Sequence, residues 1–192
     1  SKVVGVIGGT GSGKSTLVNL MPRFYDAGKG SVLIDGRDVR DYKLKQLRDR
    51  IGYVPQRTVL FSGTIRDNML WGNPGATDDD IWQALKTAQA EEFVSKLPEG
   101  LDTPVNQGGK NFSGGQRQRL TIARALVRRP EIVIMDDSAS ALDFATDLKL
   151  RTAIRHDLTD TTAFIVSQRA TSVRHADLII VLDGGVPVGM GR

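Results

Sequence analysis

"VVGVIGGTGSGKST", Val3 to Thr16, decides the fold. Val3 to Ile7 read as a short buried strand, and a helix is expected from Lys14 to Leu20. Between them, Gly8, Gly13, Lys14 and Ser15 fit the spacing G-x-x-x-x-G-K-[ST]. Glycines at Gly8, Gly9, Gly11 and Gly13 let the backbone curl, so that the N–H groups of Thr10, Ser12 and their neighbours through Thr16 turn toward phosphate oxygens. The helix N-terminus adds its dipole. Lys14 is expected to reach the β- and γ-phosphates and the Ser15 hydroxyl to bind Mg²⁺. A plain glycine turn is the bland alternative, but it would not need to sit between a strand and a helix. The stretch predicts nucleotide binding.

Such a loop needs a carboxylate for the metal, and a buried strand ending in Asp supplies one. "IVIMDDSASALD", Ile132 to Asp143, offers Asp136 for that place. Asp137 follows directly, and by itself it reads as an extra metal ligand.

Working outward, "SVLIDG" (Ser31 to Gly36), "IGYVPQ" (Ile51 to Gln56), "TAFIV" (Thr162 to Val166) and "LIIVLDGG" read as strands. "VPVGMGR" offers no clear final element. "TDDDIWQALKTAQA" reads as a helix capped by Thr77, with Ile81, Leu85 and Ala88 on one face. Helices are also expected at "EEFVSKLPEG", from Gln116 to Val127, and along Leu150, Ile154 and Leu158. The sum is a mostly parallel α/β fold, with a core at 1–56 and 128–192 and a helical subdomain inserted at 57–127.

Composition sets the outer bounds. The 192 residues suffice for one domain with a real core. A net charge of +4 suits phosphate ligands and is weak support for nucleic acid. Cysteine is absent, which excludes disulfides and thiolate metal sites. The aliphatic runs are too short to span a bilayer, so work at a membrane requires a span supplied by another segment or chain.

"NFSGGQRQRL", Asn111 to Leu120, adds a serine and two glycines at a helix start, an open anion-binding helix end. A second such end is redundant in a monomer and makes sense if it serves the nucleotide of another copy. At this point nearly the whole chain resembles the nucleotide-binding domain of an ATP-binding cassette (ABC) transporter. That resemblance implies a P-loop NTPase, RecA-like core whose N-terminal antiparallel β part would lie upstream of Ser1. Gly8 to Thr16 resemble the Walker A loop that binds ATP, and Gln56 the Q-loop glutamine at Mg²⁺. Phe112, Ser113, Gly114, Gly115 and Gln116 resemble the signature, Asp136 the Walker B aspartate, and Ser140, Ala141, Leu142 and Asp143 the D-loop. "LFSGTIRDNMLWG" (Leu60 to Gly72) closely resembles exporter-type domains. The resemblance implies a head-to-tail dimer, with each ATP between one copy's phosphate loop and the other's signature. It also implies a transmembrane domain fused upstream and a place on the cytoplasmic face of the membrane. The aromatic that stacks on adenine would lie upstream too, so weaker nucleotide affinity is expected of this chain by itself.

Three positions depart from the family pattern. Asp137 stands where active members carry a glutamate that acts on the attacking water. Gln168 stands in place of the switch histidine, and its amide cannot carry the imidazolium charge or shuttle a proton. Asn106 and Gln107 replace a Gly-Glu pair in the loop before the signature. This combination resembles the degenerate half of a heterodimeric exporter. Its own site is expected to hold ATP and hydrolyse it weakly, while its signature completes the partner's site. An ATP-gated regulatory module that is no transporter is the alternative.

The remaining residues read more plainly. Arg117, Arg119, Arg124, Arg128 and Arg129 are expected on a solvated helix face, with no nucleic-acid partner. Trp71 and Trp82 are expected to pack in the subdomain, and His156 and His175 to sit on solvated helix surfaces. Tyr25 and Tyr53 are look-alikes of the adenine-stacking aromatic.

Overall fold

The structure is a computed structural model that describes residues 2–138 and 140–192. Along the chain run β1 (Lys2–Ile7), α1 (Lys14–Asn19), β2 (Leu33–Ile34), β3 (Arg37–Asp38), α2 (Leu44–Asp49) and β4 (Ile51–Val54). The middle holds β5 (Gly63–Thr64), α3 (Ile65–Gly72), α4 (Asp78–Thr87), α5 (Glu91–Ser95), β6 (Pro104–Val105) and α6 (Gly114–Leu126). Then come β7 (Ile132–Asp136), α7 (Phe144–Asp157), β8 (Thr162–Ser167), β9 (Leu178–Asp183) and β10 (Val186–Gly191).

Six strands form one sheet in the order β10-β9-β1-β8-β7-β4. All neighbours are parallel except β9 and β10. The aliphatic runs explain this, because a parallel sheet is covered on both faces and each strand must be apolar on both sides. Alternate residues divide between two clusters. Val6, Ile134 and Val166 face Val18 of α1 and Leu47 of α2. Val3, Val133, Met135 and Ile165 face Leu120 and Ile122 of α6 and Leu150 and Ile154 of α7. Burying each such aliphatic side chain contributes roughly 1.5–3 kcal/mol.

Residues 57–127 carry α3 to α6 and, as regular strand, only the short β5–β6 pair. Local chemistry sets the helix starts. Thr64 with Asp67, Thr77 with Asp80, and Ser113 with Gln116 each form a reciprocal capping box. The helical part lies on the sheet through α6, whose apolar face joins the same cluster as Val54, Val133 and Met135.

Several expectations need correction. "VPVGMG" is a strand, β10, which pairs antiparallel with β9 through the Gly184–Gly185 turn and shifts register between Pro187 and Gly189. A proline and two glycines are tolerated because β10 lies at the sheet edge. His175 lies in an exposed turn rather than on a helix. Trp71 is 67% exposed and tilts against Phe61 with ring centroids 4.9 Å apart. Of Arg117, Arg119, Arg124, Arg128 and Arg129, only Arg129 is exposed. Arg117 donates to the Phe112 carbonyl, Arg119 to Gln89, Arg124 to Val59 and Arg128 to Gly72. These guanidinium groups tie α6 to the chain segments around it.

Candidate nucleotide site

The strand order gathers the site. Strands β1, β8, β7 and β4 are successive neighbours, and all four end at the same edge of the sheet. In open α/β sheets that edge is where ligands bind. β1 delivers the glycine loop, β8 delivers Gln168, β7 delivers Asp136 and Asp137, and β4 delivers Gln56. Register does the rest, since Val54 lies opposite Met135 and Asp136 opposite Val166.

The loop is held in a curl. Gly11 and Gly13 adopt positive φ of 77° and 90°, and Gly13 leads into α1 without a side-chain cap. Gly8 is enclosed, because a Cβ there would lie 2.3 Å from the Leu182 carbonyl and 2.5 Å from Ser12 Oγ. Behind the loop, the β9–β10 turn donates Gly185 N–H to the Ser12 carbonyl at 3.0 Å. Lys14 is buried, and its Nζ donates to the carbonyls of Gly8 (2.8 Å) and Gly9 (2.7 Å). Gly9, Thr10, Gly11, Ser15 and Thr16 are exposed.

Beneath the loop Ser15 Oγ donates to Asp136 Oδ1 at 2.9 Å, and Tyr53 OH donates to Asp136 Oδ2 at 3.2 Å. Asp136 is buried. Burial and the neighbouring Asp136 carboxylate push the Tyr53 hydroxyl pKa up, so it remains a donor. A hydroxyl and a carboxylate are hard oxygen donors of the kind that hold a small divalent cation together with phosphate oxygens and water. Among the described residues no three His, Cys, Asp or Glu side chains cluster into a metal site by themselves.

Gln56 was expected at the same metal site, yet its amide reaches Asp137 Oδ2 at 3.4 Å and is exposed. Asp137 leaves the strand with φ 46° and donates its N–H to Val166 O at 3.0 Å. Burial, then the Asp136 charge, raise its carboxyl pKa, while Lys14 and Arg169 pull the other way. Gln168 lies exposed two residues beyond Val166.

The second predicted anion site has a different construction. Phe112 is buried and faces Phe93, which anchors the start of the segment. Ser113 Oγ accepts the Gln116 N–H at 3.2 Å and Gln116 Oε1 accepts the Ser113 N–H at 3.0 Å. Gly115 lies against the D-loop, since a Cβ there would be 3.4 Å from the Ala141 carbonyl and 3.9 Å from Leu142. Leu142 is buried, Ser140 and Ala141 are exposed, and Asp143 caps α7 by accepting the Thr146 N–H at 2.9 Å. Among the described residues no hydrogen bond joins Phe112–Gln116 to Gly8–Thr16. Asn111 closes the preceding loop, taking the Asn106 N–H and donating to the Pro104 carbonyl.

A parallel sheet, a glycine loop feeding a helix from its first strand, and a serine–aspartate pair below that loop define a P-loop nucleotide-binding domain. The family model described as "ABC transporter" matches residues 1–140, and the chain belongs to the ABC transporter family. It is an ATP-binding domain of that family, related to exporter ATP-binding proteins. An uncharacterized ABC transporter ATP-binding protein of Mycobacterium tuberculosis is 50% identical over 189 residues, covering 97% of this chain and 32% of that protein. A putative multidrug export ATP-binding/permease protein of Bacillus subtilis, YgaD, is 44% identical over 99% of this chain and 33% of its own length. Among solved structures, a bacterial Atm1-family ABC exporter with ATP bound superposes with a TM-score of 0.93 at 38% identity, over 99% of this chain and 34% of that one. The chain thus spans about a third of the length of the curated relatives it matches. Among the described residues no helix is long and apolar enough to cross a membrane.

Proposed function

We propose that this chain is the ATP-binding half-site of an ABC exporter, joined to a transmembrane domain at the cytoplasmic face of a membrane. It pairs head to tail with a different nucleotide-binding domain. In this reading residues 57–127 form the signature subdomain on a core of 1–56 and 128–192. Gly8 to Thr16 cradle the phosphates of ATP through backbone N–H groups, and Lys14 exchanges its loop carbonyls for phosphate oxygens. Ser15 and Asp136 hold Mg²⁺, with Gln56 close by. When bound, Mg²⁺ neutralises charge on the β- and γ-phosphate oxygens. Phe112 to Gln116 present a helix end and the Ser113 hydroxyl to the partner's ATP, and Ser140 to Asp143 carry contacts across the dimer.

One observation carries the weak-hydrolysis part of the reading. Asp137 occupies the place of the carboxylate that acts on water, and Gln168 follows the adjoining strand. Aspartate is shorter than glutamate by one methylene, about 1.5 Å. Misplacing a catalytic group by about 1 Å costs on the order of 10²-fold in rate. The Gln56 amide lies 3.4 Å from Asp137 Oδ2. Reach is the deficit at this position.

The test restores both groups, Asp137→Glu and Gln168→His, in the full-length protein with its partner. Nucleotide trapped by vanadate is then assigned to each site. Turnover at this chain's site is expected to rise by about 10²-fold. Fast hydrolysis by the unaltered protein as a homodimer would sink the proposal.

A further inference from the structure

Residues from two separated segments, α1 and β4, converge on the Asp136 carboxylate. Ser15 and Asn19 lie four positions apart on α1 and so share one helix face. Tyr53 lies opposite Ile134 in the β4–β7 register, which puts its side chain on the same sheet face as Asp136 two residues further on. The Ser15 hydroxyl holds one carboxylate oxygen and the Tyr53 hydroxyl the other. Phe24 meets the Tyr53 ring edge-on at 5.2 Å. Tyr53 is therefore fixed by ring packing before it touches Asp136.

We propose that Tyr53 is a positioning residue for the metal carboxylate. By donating to Asp136 Oδ2 it sets the plane of the carboxylate, so that Oδ1, beside Ser15, is the oxygen presented toward the phosphate loop. A buried carboxylate with one free oxygen could rotate, whereas one held at both oxygens has one orientation. Outer hydrogen bonds of this kind orient ligands and tune metal affinity. The inference rests on the reading of Ser15 and Asp136 as the cation site.

Mn²⁺ binding in the presence of ATP, followed by electron paramagnetic resonance on the full-length protein, tests it without reference to turnover. Tyr53→Phe keeps the ring against Phe24 and removes only the hydroxyl. It is expected to weaken Mn²⁺ by about three- to tenfold, the worth of one hydrogen bond. ATP affinity measured in EDTA should be unchanged. In an Asp136→Asn background the same substitution should add no further loss, because its effect passes through the carboxylate. Equal losses in both backgrounds, or an unchanged Mn²⁺ affinity, overturn the positioning role. A weakened EDTA–ATP affinity overturns it as well, since that marks general damage. If Asp136→Asn itself leaves Mn²⁺ affinity intact, the cation-site reading fails first. If Tyr53→Phe lowers the melting temperature sharply, Phe24→Leu provides the second arm. It loosens the Tyr53 ring without removing the hydroxyl and should give a smaller Mn²⁺ loss in the same direction, and no loss there overturns the proposal.

Discussion

The two glycine-bearing helix starts, at α1 and α6, solve the same problem in opposite ways. Each offers N–H groups that no helical carbonyl can satisfy. At α1 there is no side-chain cap, the entry residue Gly13 is left-handed, and a buried lysine folds back on the loop carbonyls. The result is a concave cradle whose backbone donors await a ligand. At α6 Ser113 and Gln116 satisfy each other's N–H groups before any ligand arrives. The Ser113 oxygen accepts there, which leaves its own O–H proton to donate outward. A cradle depends on glycine for its shape. A capped helix end needs glycine only to let something approach.

Alanine at one glycine in each region separates these uses. Gly8→Ala drives a methyl against a backbone carbonyl and is expected to cost about 1–3 kcal/mol, as overpacking does. That corresponds to a melting temperature lower by roughly 2–12 °C at this chain length. ATP affinity should fall at least about tenfold, because the loop must move away from Leu182. Gly115→Ala meets its first neighbour at 3.4 Å, an ordinary contact. Alanine is also the better helix former by about 1 kcal/mol. Calorimetry should show Gly115→Ala as stable as the wild type or more so, with ATP binding to the chain's own loop intact. Equal destabilisation by the two changes would erase the distinction between cradle and cap.

Ser113→Ala sharpens the other side of the comparison. Loss of an N-cap costs about 1 kcal/mol, which lowers the melting temperature by about 2–4 °C. ATP affinity at the chain's own loop should not change, since among the described residues no hydrogen bond joins the two regions. A fall in that affinity would mean that the signature end supports the phosphate loop from within the same chain.

The contrast also shows what a sequence can and cannot convey. Motif spacing located the glycine loop between β1 and α1, Asp136 at the end of β7 and the Ser113 helix start, and the aliphatic runs located β1, β4, β7, β8 and β9. Those features are local and strongly patterned. β10 was illegible because Pro187, Gly189 and Gly191 read as a loop, and only pairing with β9 makes them a strand. α2 is six residues long, too short for a period to show. The Tyr53–Asp136 bond spans 83 positions and exists only because β4 and β7 are neighbours in a given register. From sequence, Tyr53 was merely an aromatic that resembled a base-stacking residue. The arginines of α6 were misjudged for a related reason. Their carbonyl partners lie in α3, in the turn after α4 and in the loop after β4, and no charge pattern reports that.

The smallest expected effects concern two aspartates, Asp137 beside the phosphate loop and Asp143 at the start of α7. Asp143 accepts the Thr146 backbone N–H, then its hydroxyl, and these hold its pKa below the ordinary carboxylate range. A depressed folded pKa adds stability above the unfolded value of about 4 and loses it as pH falls through the folded one. Asp137 has the opposite sign, because burial and the Asp136 charge raise its folded pKa. Its ionisation opposes folding, and the penalty is relieved as pH falls through the raised folded value to the unfolded one of about 4. At pH 7 Asp137→Asn should therefore raise the melting temperature. Asp143→Asn, whose amide oxygen still caps α7 but carries no charge, should lower it slightly. As pH falls from about 5 through the folded pKa, the wild type should lose a stabilisation that Asp143→Asn lacks. Thermal melts across that range read both signs at once. A common sign for the two would mean that the carboxylate beside the phosphate loop is no more strained by its surroundings than the one that merely caps a helix.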